Sequence, residues 1–326
     1  MSNKESKPIQ LIDIKPDQIQ FQTEVLEGLN KPQKELPSKY FYDETGSKLF
    51  DQICTLEEYY IPKIEIAIMK AHIREIIEVL GPNVLLIEYG SGSSLKTRIL
   101  LDNLIEPVCY MPIDISREQL VHSASDISTR YNDLDVLPVC ADYTTKLEIP
   151  LLKQKRYRPV IYFPGSSIGN FDPLPAKHFL EHISTICTNE GGLLIGFDLK
   201  KDPAILHRAY NDQSGITAAF NFNLLHRINT ELNCDFCIKQ YKHYAFYNPR
   251  KSRIEMHVIS LQDQTVHLGD TAITIRKGES IWTESSYKFT VDEFTDLAAT
   301  AGLKAERIWT DKNNWFCLIF LVNDRI

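Results

Sequence analysis

Residues 87–94 read IEYGSGSS and join the apolar run Val84–Ile87 to a helical pattern over Leu95–Leu104. A strand, a glycine turn and a helix in this order place backbone N–H groups and an open helix N-terminus beside a ligand. Gly90 and Gly92 allow that ligand a close approach because they carry no Cβ atom. The third glycine of the dinucleotide fingerprint is missing, so an ordinary strand-to-helix turn is the alternative interpretation of this segment.

Four further apolar runs follow, and each one ends in acidic, glycine or amide residues. They are Val108–Ile113 before Asp114, Val136–Cys140 before Asp142 and Tyr143, Val160–Phe163 before the loop 164–170, and Leu193–Phe197 before Asp198. Short apolar runs that alternate with helical patterns predict parallel strands in a doubly wound sheet, whose ligands bind beyond the carboxyl ends of the strands. Asp114 follows Gly90 by 24 residues, close to the spacing of about 20 at which an acidic residue reaches the hydroxyls of a ribose.

Composition and charge exclude several classes of protein. The 326 residues carry a net charge of −7, with a pI near 5.8, which argues against a nucleic-acid partner because such partners need a basic face. No apolar run reaches the length of about 18 residues of a membrane span, and the N-terminus is polar, so we expect neither a membrane partner nor a signal peptide. The seven cysteines are scattered and odd in number, which predicts reduced thiols and a cytoplasmic protein.

Cys234 and Cys237 form a single C-x-x-C pattern near His226 and His243. These four residues could form a zinc site, but the sequence contains no second C-x-x-C pattern. We therefore interpret the two cysteines as packing or loop residues and expect no metal.

The remaining segments predict an inserted α+β part and a closing hairpin. We expect helices over Asp17–Leu29, Ser47–Cys54, Pro62–Leu80, Pro203–Asp212 and Thr217–Leu232, and later strands over Tyr241–Tyr247, Arg253–Gln262, Thr271–Arg276 and Glu279–Phe289. Ser116 and Thr290 each begin a capping-box pattern, and a hairpin pairs Glu306–Thr310 with Trp315–Val322. A parallel five-strand core that ends in a helix and an antiparallel hairpin is typical of S-adenosylmethionine-dependent methyltransferases.

Longer motifs occur in a fixed order along most of the chain. They are KYFYDETGSKLF at 39–50, EYY at 58–60, EYGSGSSLKTR at 88–98, GSSIGN at 165–170, RAYND at 208–212, IEM at 254–256 and TESS at 283–286. Together they resemble the histidine-specific Nα-methyltransferases of ergothioneine biosynthesis, over roughly residues 15 to 323. The resemblance implies that three S-adenosylmethionine molecules methylate the α-amine of L-histidine in turn. The product would be hercynine, the trimethylated betaine.

The resemblance also implies an α/β fold in two domains. The first is a Rossmann-like class I methyltransferase sheet with an antiparallel C-terminal hairpin, at residues 61–200 and 287–326. The second is a smaller bipartite α+β substrate-binding domain at residues 1–60 and 201–286. We expect a cytoplasmic monomer whose partners are the methyl donor and a small-molecule substrate.

Individual residues take roles by the same resemblance. Those assigned to S-adenosylmethionine are Gly90 with its neighbour Ser91 and Lys96 at the amino-acid end, Asp114 at the ribose, and Asp142 with Tyr143 at the adenine. Those assigned to histidine are Tyr59 and Tyr210 at the carboxylate, Asn170 and Tyr42 at the α-amine, Glu284 and Ser286 at the imidazole, and Met256 in the same site. Asn170 and Tyr42 are also the catalytic candidates. Three departures from the family pattern, at Tyr143, Ser167 and Ser285, remove none of these contacts.

Elementary chemistry supports these roles. Methyl transfer from a sulfonium mainly requires that a neutral nitrogen be aligned and water excluded, and an α-amine titrates near pH ~8. Oxygens of Asn170 and Tyr42 can orient that amine. Two tyrosine hydroxyls would hold the carboxylate without a cation beside the sulfonium. Glu284 would form a charge-assisted hydrogen bond with an imidazole N–H.

Other interpretations stay open at this point. Tyr42 and Tyr59 lie in an aromatic-rich segment, where buried tyrosines are commonly packing residues. The acceptor could be another amino acid such as tryptophan, or a small amine, although Glu284 with Ser286 suits imidazole better than indole. A non-catalytic S-adenosylmethionine-binding regulator would keep the donor residues and lose the acceptor residues, all of which are present here. A dehydrogenase is disfavoured because the third glycine and a second nucleotide-binding half are missing.

Overall fold

The computed structural model describes residues 10–14, 17–92, 94–145, 147–148, 157–187 and 191–324, so Ser93 of the glycine segment lies outside the described residues. The strands are β1 (Ile12–Ile14), β2 (Lys34–Glu35), β3 (Val84–Tyr89), β4 (Cys109–Asp114), β5 (Asp135–Val136), β6 (Val139–Ala141), β7 (Arg158–Phe163), β8 (Gly192–Asp198), β9 (Tyr241–Asn248), β10 (Arg253–Ser260), β11 (Gln264–Leu268), β12 (Thr271–Ile275), β13 (Ser280–Tyr287), β14 (Leu303–Thr310) and β15 (Phe316–Asn323). The α-helices are α1 (Gln18–Leu29), α2 (Glu44–Thr55), α3 (Ile61–Leu80), α4 (Leu95–Leu101), α5 (Arg117–Arg130), α6 (Pro173–Ile186), α7 (Pro203–Ala209), α8 (Ile216–Leu232) and α9 (Val291–Thr300). Short 3₁₀ helices span Ser38–Phe41, Ser167–Asn170 and Ile238–Gln240.

The chain divides into two compact units. The first comprises the described residues of Met1–Lys15, Ile61–Lys200 and Phe289–Ile326. Its sheet has the order β1-β6-β4-β3-β7-β8-β15-β14, and β5 pairs with β4. The strands from β1 to β8 pair in parallel, whereas β15 is antiparallel to both β8 and β14. This arrangement confirms the predicted class I methyltransferase sheet with its antiparallel C-terminal hairpin.

Continuous burial explains why the strands of the first unit read as apolar runs. Every residue of β3, β4 and β8 is buried, as expected for parallel strands that are covered on both faces. Chain order reverses beside β3, which lies between β4 and β7. Ligands of open parallel sheets bind at such a reversal, beyond the carboxyl ends of the strands. The loops that begin at Gly90 and Pro164 therefore lie at the expected ligand-binding edge.

The N-terminal strand differs from the sequence-based domain boundaries. Ile12, Asp13 and Ile14 of β1 pair with Val139–Ala141 of β6, in the sheet of the first unit. The boundaries expected from the sequence instead assign residues 1–60 to the substrate-binding domain. A three-residue strand at the sheet edge carries too little pattern to be recognised, because half-buried strands are identified by alternation over 4–8 residues.

The second unit comprises Pro16–Tyr60 and Lys201–Lys288. Its four-stranded sheet has the order β2-β13-β10-β9, and β11 pairs with β12 in a separate hairpin. Strands β9, β10 and β13 are antiparallel, with an irregularity in the β10–β13 pairing between Met256 and His257. Helix α8 packs against β9, β10 and α2. Within the described part of the chain, no helix is long and apolar enough to cross a membrane.

Candidate active site

The glycine turn after β3 has the conformation that its sequence predicts. Gly90 and Gly92 have φ values of +70° and +46°, a region that residues with a Cβ atom rarely adopt. The Gly90 N–H donates to the Ile113 carbonyl at 2.8 Å, which ties the turn to β4. A Cβ atom on Gly90 would lie 3.5 Å from the Tyr143 hydroxyl, whereas one on Gly92 would meet no heavy atom within 4 Å. The backbone at Gly92 is therefore open to a close approach.

Asp114 links the turn to the end of β4. Its Oδ2 accepts the Gly92 N–H at 3.1 Å, and its Oδ1 accepts the Ser116 N–H at 2.9 Å. Burial raises the pKa of the Asp114 carboxyl above its ordinary value, and the backbone N–H donors oppose that rise. The carboxylate is thus fixed at the strand end where a ribose contact was predicted.

Asp142 and Tyr143 follow β6 at the same edge. The Oδ1 of Asp142 accepts both the backbone N–H of Thr144, at 2.9 Å, and its hydroxyl, at 2.5 Å. The Tyr143 ring lies edge-to-face against Tyr89 and Phe163, with centroids 5.9 and 5.7 Å away. These contacts hold a partly buried aromatic ring at the end of β6, where the contact with adenine was predicted.

Ser91 provides a buried polar atom in the glycine turn. The residue is 5% exposed, and its Oγ has no hydrogen-bond partner among the described residues. Buried hydroxyls are nearly always paired, so an unpaired one within a ligand-binding turn fits a polar ligand group.

A buried carboxylate that the sequence analysis missed joins two loops of the first unit. Glu65 on α3 is 0% exposed and accepts from the Lys96 ammonium at 2.6 Å and from the Gly165 N–H at 3.0 Å. Lys96 is the second residue of helix α4, after the glycine turn, and Gly165 lies in the loop that ends in Asn170. The spacing of Glu65 four residues after Ile61 and four before Met69, on the buried face of α3, was the available signal.

Asn170 ends the short helix Ser167–Asn170 after β7 and is partly buried. The preceding turn has Gly165 at φ +77° and Ser166 at φ +65°. A Cβ atom on Gly165 would lie 3.3 Å from the Lys96 Nζ. The loop that carries Asn170 therefore packs close to the lysine assigned to the donor.

In the second unit, the residues assigned to the histidine carboxylate and imidazole form one cluster, in which Tyr59, Tyr210 and Ser286 are buried and Glu284 is half-buried. The Tyr59 and Tyr210 rings lie edge-to-face, with centroids 6.0 Å apart. The Tyr210 hydroxyl donates to Ser286 Oγ at 2.8 Å. Burial raises the pKa of Tyr59 well above its ordinary value, and the nearby ionisable groups Tyr210, Cys54, Glu284 and Tyr42 add to the rise. The cluster thus includes both tyrosines, Glu284 and Ser286.

Tyr42 and Met256 border this cluster. The Tyr42 ring contacts Phe50 and Phe220 edge-to-face at 5.7 and 5.8 Å, and Phe50 in turn contacts Tyr59 at 6.4 Å. Met256 on β10 is buried and pairs with Glu284 on β13 in the sheet register. The second unit therefore brings together every residue assigned to histidine except Asn170, which belongs to the first unit.

A buried cation lies in this cluster. The Lys288 ammonium donates to the Tyr210 hydroxyl at 3.1 Å and to Ser286 Oγ at 2.8 Å. One of the two tyrosine hydroxyls assigned to the carboxylate therefore has a lysine as its neighbour, which the sequence analysis did not predict. Lys288 comes directly after β13, where a lysine is an ordinary residue for the end of a strand. The sequence pattern therefore assigned no role to it.

The C-x-x-C cysteines are free thiols in the structure. Cys234 is partly buried and Cys237 is exposed. Burial raises the pKa of the Cys234 thiol to about 11. In the described ranges, no group of three or more His, Cys, Asp or Glu side chains is placed to hold a metal ion.

Comparison with known proteins gives consistent matches over almost the whole chain. A family model described as "Histidine-specific methyltransferase, SAM-dependent" matches residues 21–323. A histidine N-alpha-methyltransferase of Mycobacterium tuberculosis is 39% identical over 301 residues, which cover 90% of this chain and 92% of that protein. The protein of the same name from Mycolicibacterium smegmatis is 37% identical over 305 residues, with coverage of 92% and 94%. The ergothioneine biosynthesis protein 1 of Neurospora crassa is 31% identical over 304 residues, which cover 86% of this chain and 32% of that protein.

Proposed function

Because the chain belongs to the family of S-adenosylmethionine-dependent, histidine-specific methyltransferases, we propose that it transfers three methyl groups to the α-amine of L-histidine. The product is hercynine, and the reaction is the first step of ergothioneine biosynthesis. The observation that carries this proposal is the cluster of Tyr59, Tyr210, Glu284 and Ser286, whose hydroxyl and carboxylate groups match the functional groups of histidine.

The first unit supplies the groups that would hold the methyl donor. Those groups are Gly90, Ser91, Lys96, Asp114, Asp142 and Tyr143. The unpaired Ser91 hydroxyl and the open backbone at Gly92 fit a polar ligand in the turn. When bound, S-adenosylmethionine supplies a methyl group on a sulfonium whose leaving group is a neutral thioether.

The acceptor residues have to orient a neutral amine through three rounds. The side-chain oxygens of Asn170 and Tyr42 would accept N–H hydrogens of the amine, which leaves the nitrogen lone pair directed at the methyl group. After the first and after the second transfer, the ammonium that forms has to release a proton to solvent before its nitrogen can react again. Each of these proton losses removes one N–H donor, so the contacts decrease as the nitrogen gains bulk. Because Asn170 and Tyr42 would bind the amine by hydrogen bonds alone, the amine can rotate about its Cα–N bond between rounds, and the trimethylated product can leave the site.

The tyrosine cluster would hold the histidine carboxylate. Since burial raises the pKa of Tyr59 well above its ordinary value, its hydroxyl keeps its hydrogen where the α-amine, with a pKa of about 8, is neutral. Tyr59 therefore remains a donor under the conditions in which the amine is reactive. Glu284 would accept an imidazole N–H, and Ser286 would contact the second ring nitrogen.

Product analysis by mass spectrometry tests the proposal directly. Purified protein with L-histidine and methyl-labelled S-adenosylmethionine should yield mono-, di- and trimethylated histidine in sequence. Methyl incorporation into tryptophan or a simple amine, with none into histidine, would replace the substrate assignment by the alternative acceptor. Donor binding without turnover of any acceptor would instead favour a regulator.

The setting of the reaction is also part of the proposal. We propose a monomeric enzyme that acts in the cytoplasm on free histidine, without a metal ion. Methyl transfer from a sulfonium needs no Lewis acid, because the leaving group is already activated. Activity that persists unchanged after dialysis against a chelator would support this point.

A further inference from the structure

Lys288 is an unusual residue for the interior of this protein. It is 1% exposed, although lysine is almost never fully buried. Its backbone N–H donates to the Ser252 carbonyl at 2.8 Å, which fixes its position at the end of β13. Its Nζ lies 2.8 Å from Ser286 Oγ, 3.1 Å from the Tyr210 hydroxyl and 5.1 Å from the centroid of the Tyr210 ring. The ammonium therefore contacts two residues assigned to the substrate.

The hydrogen bonds of this triad determine which atoms donate toward a ligand. Tyr210 gives its one hydroxyl hydrogen to Ser286 and accepts a hydrogen from Lys288. Ser286 Oγ accepts from both Tyr210 and Lys288, which fills its two acceptor positions. The hydrogen of Ser286 must consequently point away from the other two residues, so Ser286 is a donor to whatever binds beside it.

An arriving carboxylate changes this pattern in a specific way. Tyr210 can turn its hydrogen from Ser286 to a carboxylate oxygen only if Ser286 keeps another donor, because an unpaired buried hydroxyl is unfavourable. Lys288 is that donor. Its positive charge also strengthens the Tyr210 hydroxyl as a donor to an anion.

We propose that Lys288 is a positioning residue that makes this site selective for amines that carry a free α-carboxylate. It orients the hydroxyls of Tyr210 and Ser286 and supplies the positive charge that the carboxylate requires. This inference rests on the proposed function, since it takes L-histidine as the ligand of the cluster.

Binding measurements on Lys288→Met test the proposal. The substitution removes the positive charge and the hydrogen bonds to Tyr210 and Ser286, and it keeps an apolar side chain of similar length. In titrations with S-adenosylhomocysteine present, we expect the Kd for L-histidine to rise roughly 10- to 100-fold. The Kd for histamine, which lacks the carboxylate, should change by less than about 3-fold, and the affinity for S-adenosylhomocysteine should stay the same.

A double-mutant cycle with Tyr210→Phe shows whether the lysine acts through the tyrosine. If it does, the double variant should bind histidine about as weakly as the weaker single variant, because both remove the same interaction. The matched control is Lys201→Met. Lys201 donates to the hydroxyl of Tyr60 at 2.8 Å in the same unit, and Tyr60 has no assigned substrate contact. That control should bind histidine as the wild type does.

Each result decides the question. Equal losses for histidine and histamine, or independent effects in the cycle, would make Lys288 a structural residue. Should Lys288→Met not fold, Lys288→Gln keeps a donor without the charge and should lose histidine affinity but not histamine affinity. If neither variant folds, the lysine is needed for stability and the proposal fails. Wild-type protein that binds S-adenosylhomocysteine but not histidine would overturn the proposed function instead.

Discussion

Glu284 is positioned to distinguish between acceptors. It lies on β13 across from the buried Met256, and it contributes to the raised pKa of Tyr59, so it faces the tyrosine cluster. We propose that this half-buried carboxylate favours a ligand with an N–H donor, because such a donor forms a charge-assisted hydrogen bond with it. The position of Glu284 in the sheet register would then contribute to substrate choice.

Replacing Glu284 by alanine should weaken the binding of histidine and leave the binding of S-adenosylhomocysteine almost unchanged. We expect the KM for histidine to rise about 10- to 100-fold, the effect of losing a charge-assisted hydrogen bond. Affinity for S-adenosylhomocysteine, measured by calorimetry, should remain within about 2-fold. Glu279→Ala is the control, since Glu279 forms an ion pair with Lys34 at 3.5 Å in the same unit. Equal losses for both ligands would mean that Glu284 supports the fold.

Glu88, beneath the glycine turn, should give the stability of the protein a distinct pH dependence. It is 1% exposed and accepts from Thr97 at 2.6 Å and Tyr110 at 2.5 Å. Burial raises its pKa from 4.5 to about 7. Between these values the folded protein binds more protons than the unfolded chain. The free energy of unfolding should therefore fall as pH rises from about 4.5 to 7, by roughly 3 kcal/mol from this group.

Urea unfolding of wild type and Glu88→Gln at pH 5, 6, 7 and 8 measures this contribution. Glutamine does not titrate, so the stability of the wild type relative to the variant should decline up to about pH 7 and then stay constant. A difference that is the same at every pH would show that Glu88 does not change its protonation in this range.

The two capping-box patterns in the sequence form different structures at the starts of their helices. Thr290 and Glu293 form the full reciprocal pair at the start of α9. Ser116 begins α5 without a side-chain cap, and its backbone N–H, which the third residue of a capping box would accept, donates to Asp114 Oδ1 instead. A carboxylate outside the helix thus replaces one half of the predicted capping box.

Thr290→Ala should lower the free energy of unfolding by about 1 kcal/mol, the usual effect of losing an N-cap. Thr295→Ala is a matched control on the same helix, because the Thr295 hydroxyl donates to the Asp292 carbonyl at 2.9 Å, within the helix, and caps no helix end. The control should change stability by less than about 0.5 kcal/mol. Equal effects in urea titrations would argue that the capping bonds contribute nothing.

The sequence predicted elements better than it predicted pairings between them. Helix α8 spans Ile216–Leu232, one residue more than its predicted range, and strands β3, β4, β7 and β8 follow the predicted apolar runs, since burial on both faces leaves a continuous signal. Strand β11 was missed, because five alternating residues before a tight turn read as a loop. Glu65 with Lys96, and Lys288 with Tyr210, are 31 and 78 residues apart, and no local pattern reports such contacts.

At the scale of the whole molecule, the exposed edge of the first sheet bears on assembly. Strand β14 ends that sheet, and it carries Lys304, Glu306 and Arg307 on exposed positions together with an irregularity in its pairing. Charges and bulges on an edge strand oppose pairing with another chain. Strand β14 is therefore unsuited to pair with a strand from a second copy of the chain.

We accordingly expect one species of 37.5 kDa in light scattering coupled to size-exclusion chromatography. The mass should not depend on protein concentration or on added histidine. A concentration-dependent shift toward twice that mass would contradict the expectation and identify a self-association surface elsewhere on the molecule.

The division of the second unit into Pro16–Tyr60 and Lys201–Lys288 has a consequence for biosynthesis. Helices α1 and α2 pack against α8, and they bury Phe21, Val25 and Ile53 in the second unit. A ribosome must add 140 more residues after Tyr60 before Lys201 emerges, which takes on the order of ten seconds at about 5–20 residues per second. During that interval the nascent N-terminal helices lack their partner. We expect that neither half of the second unit is stable when it is expressed as a separate fragment, because each half lacks the surface against which it packs.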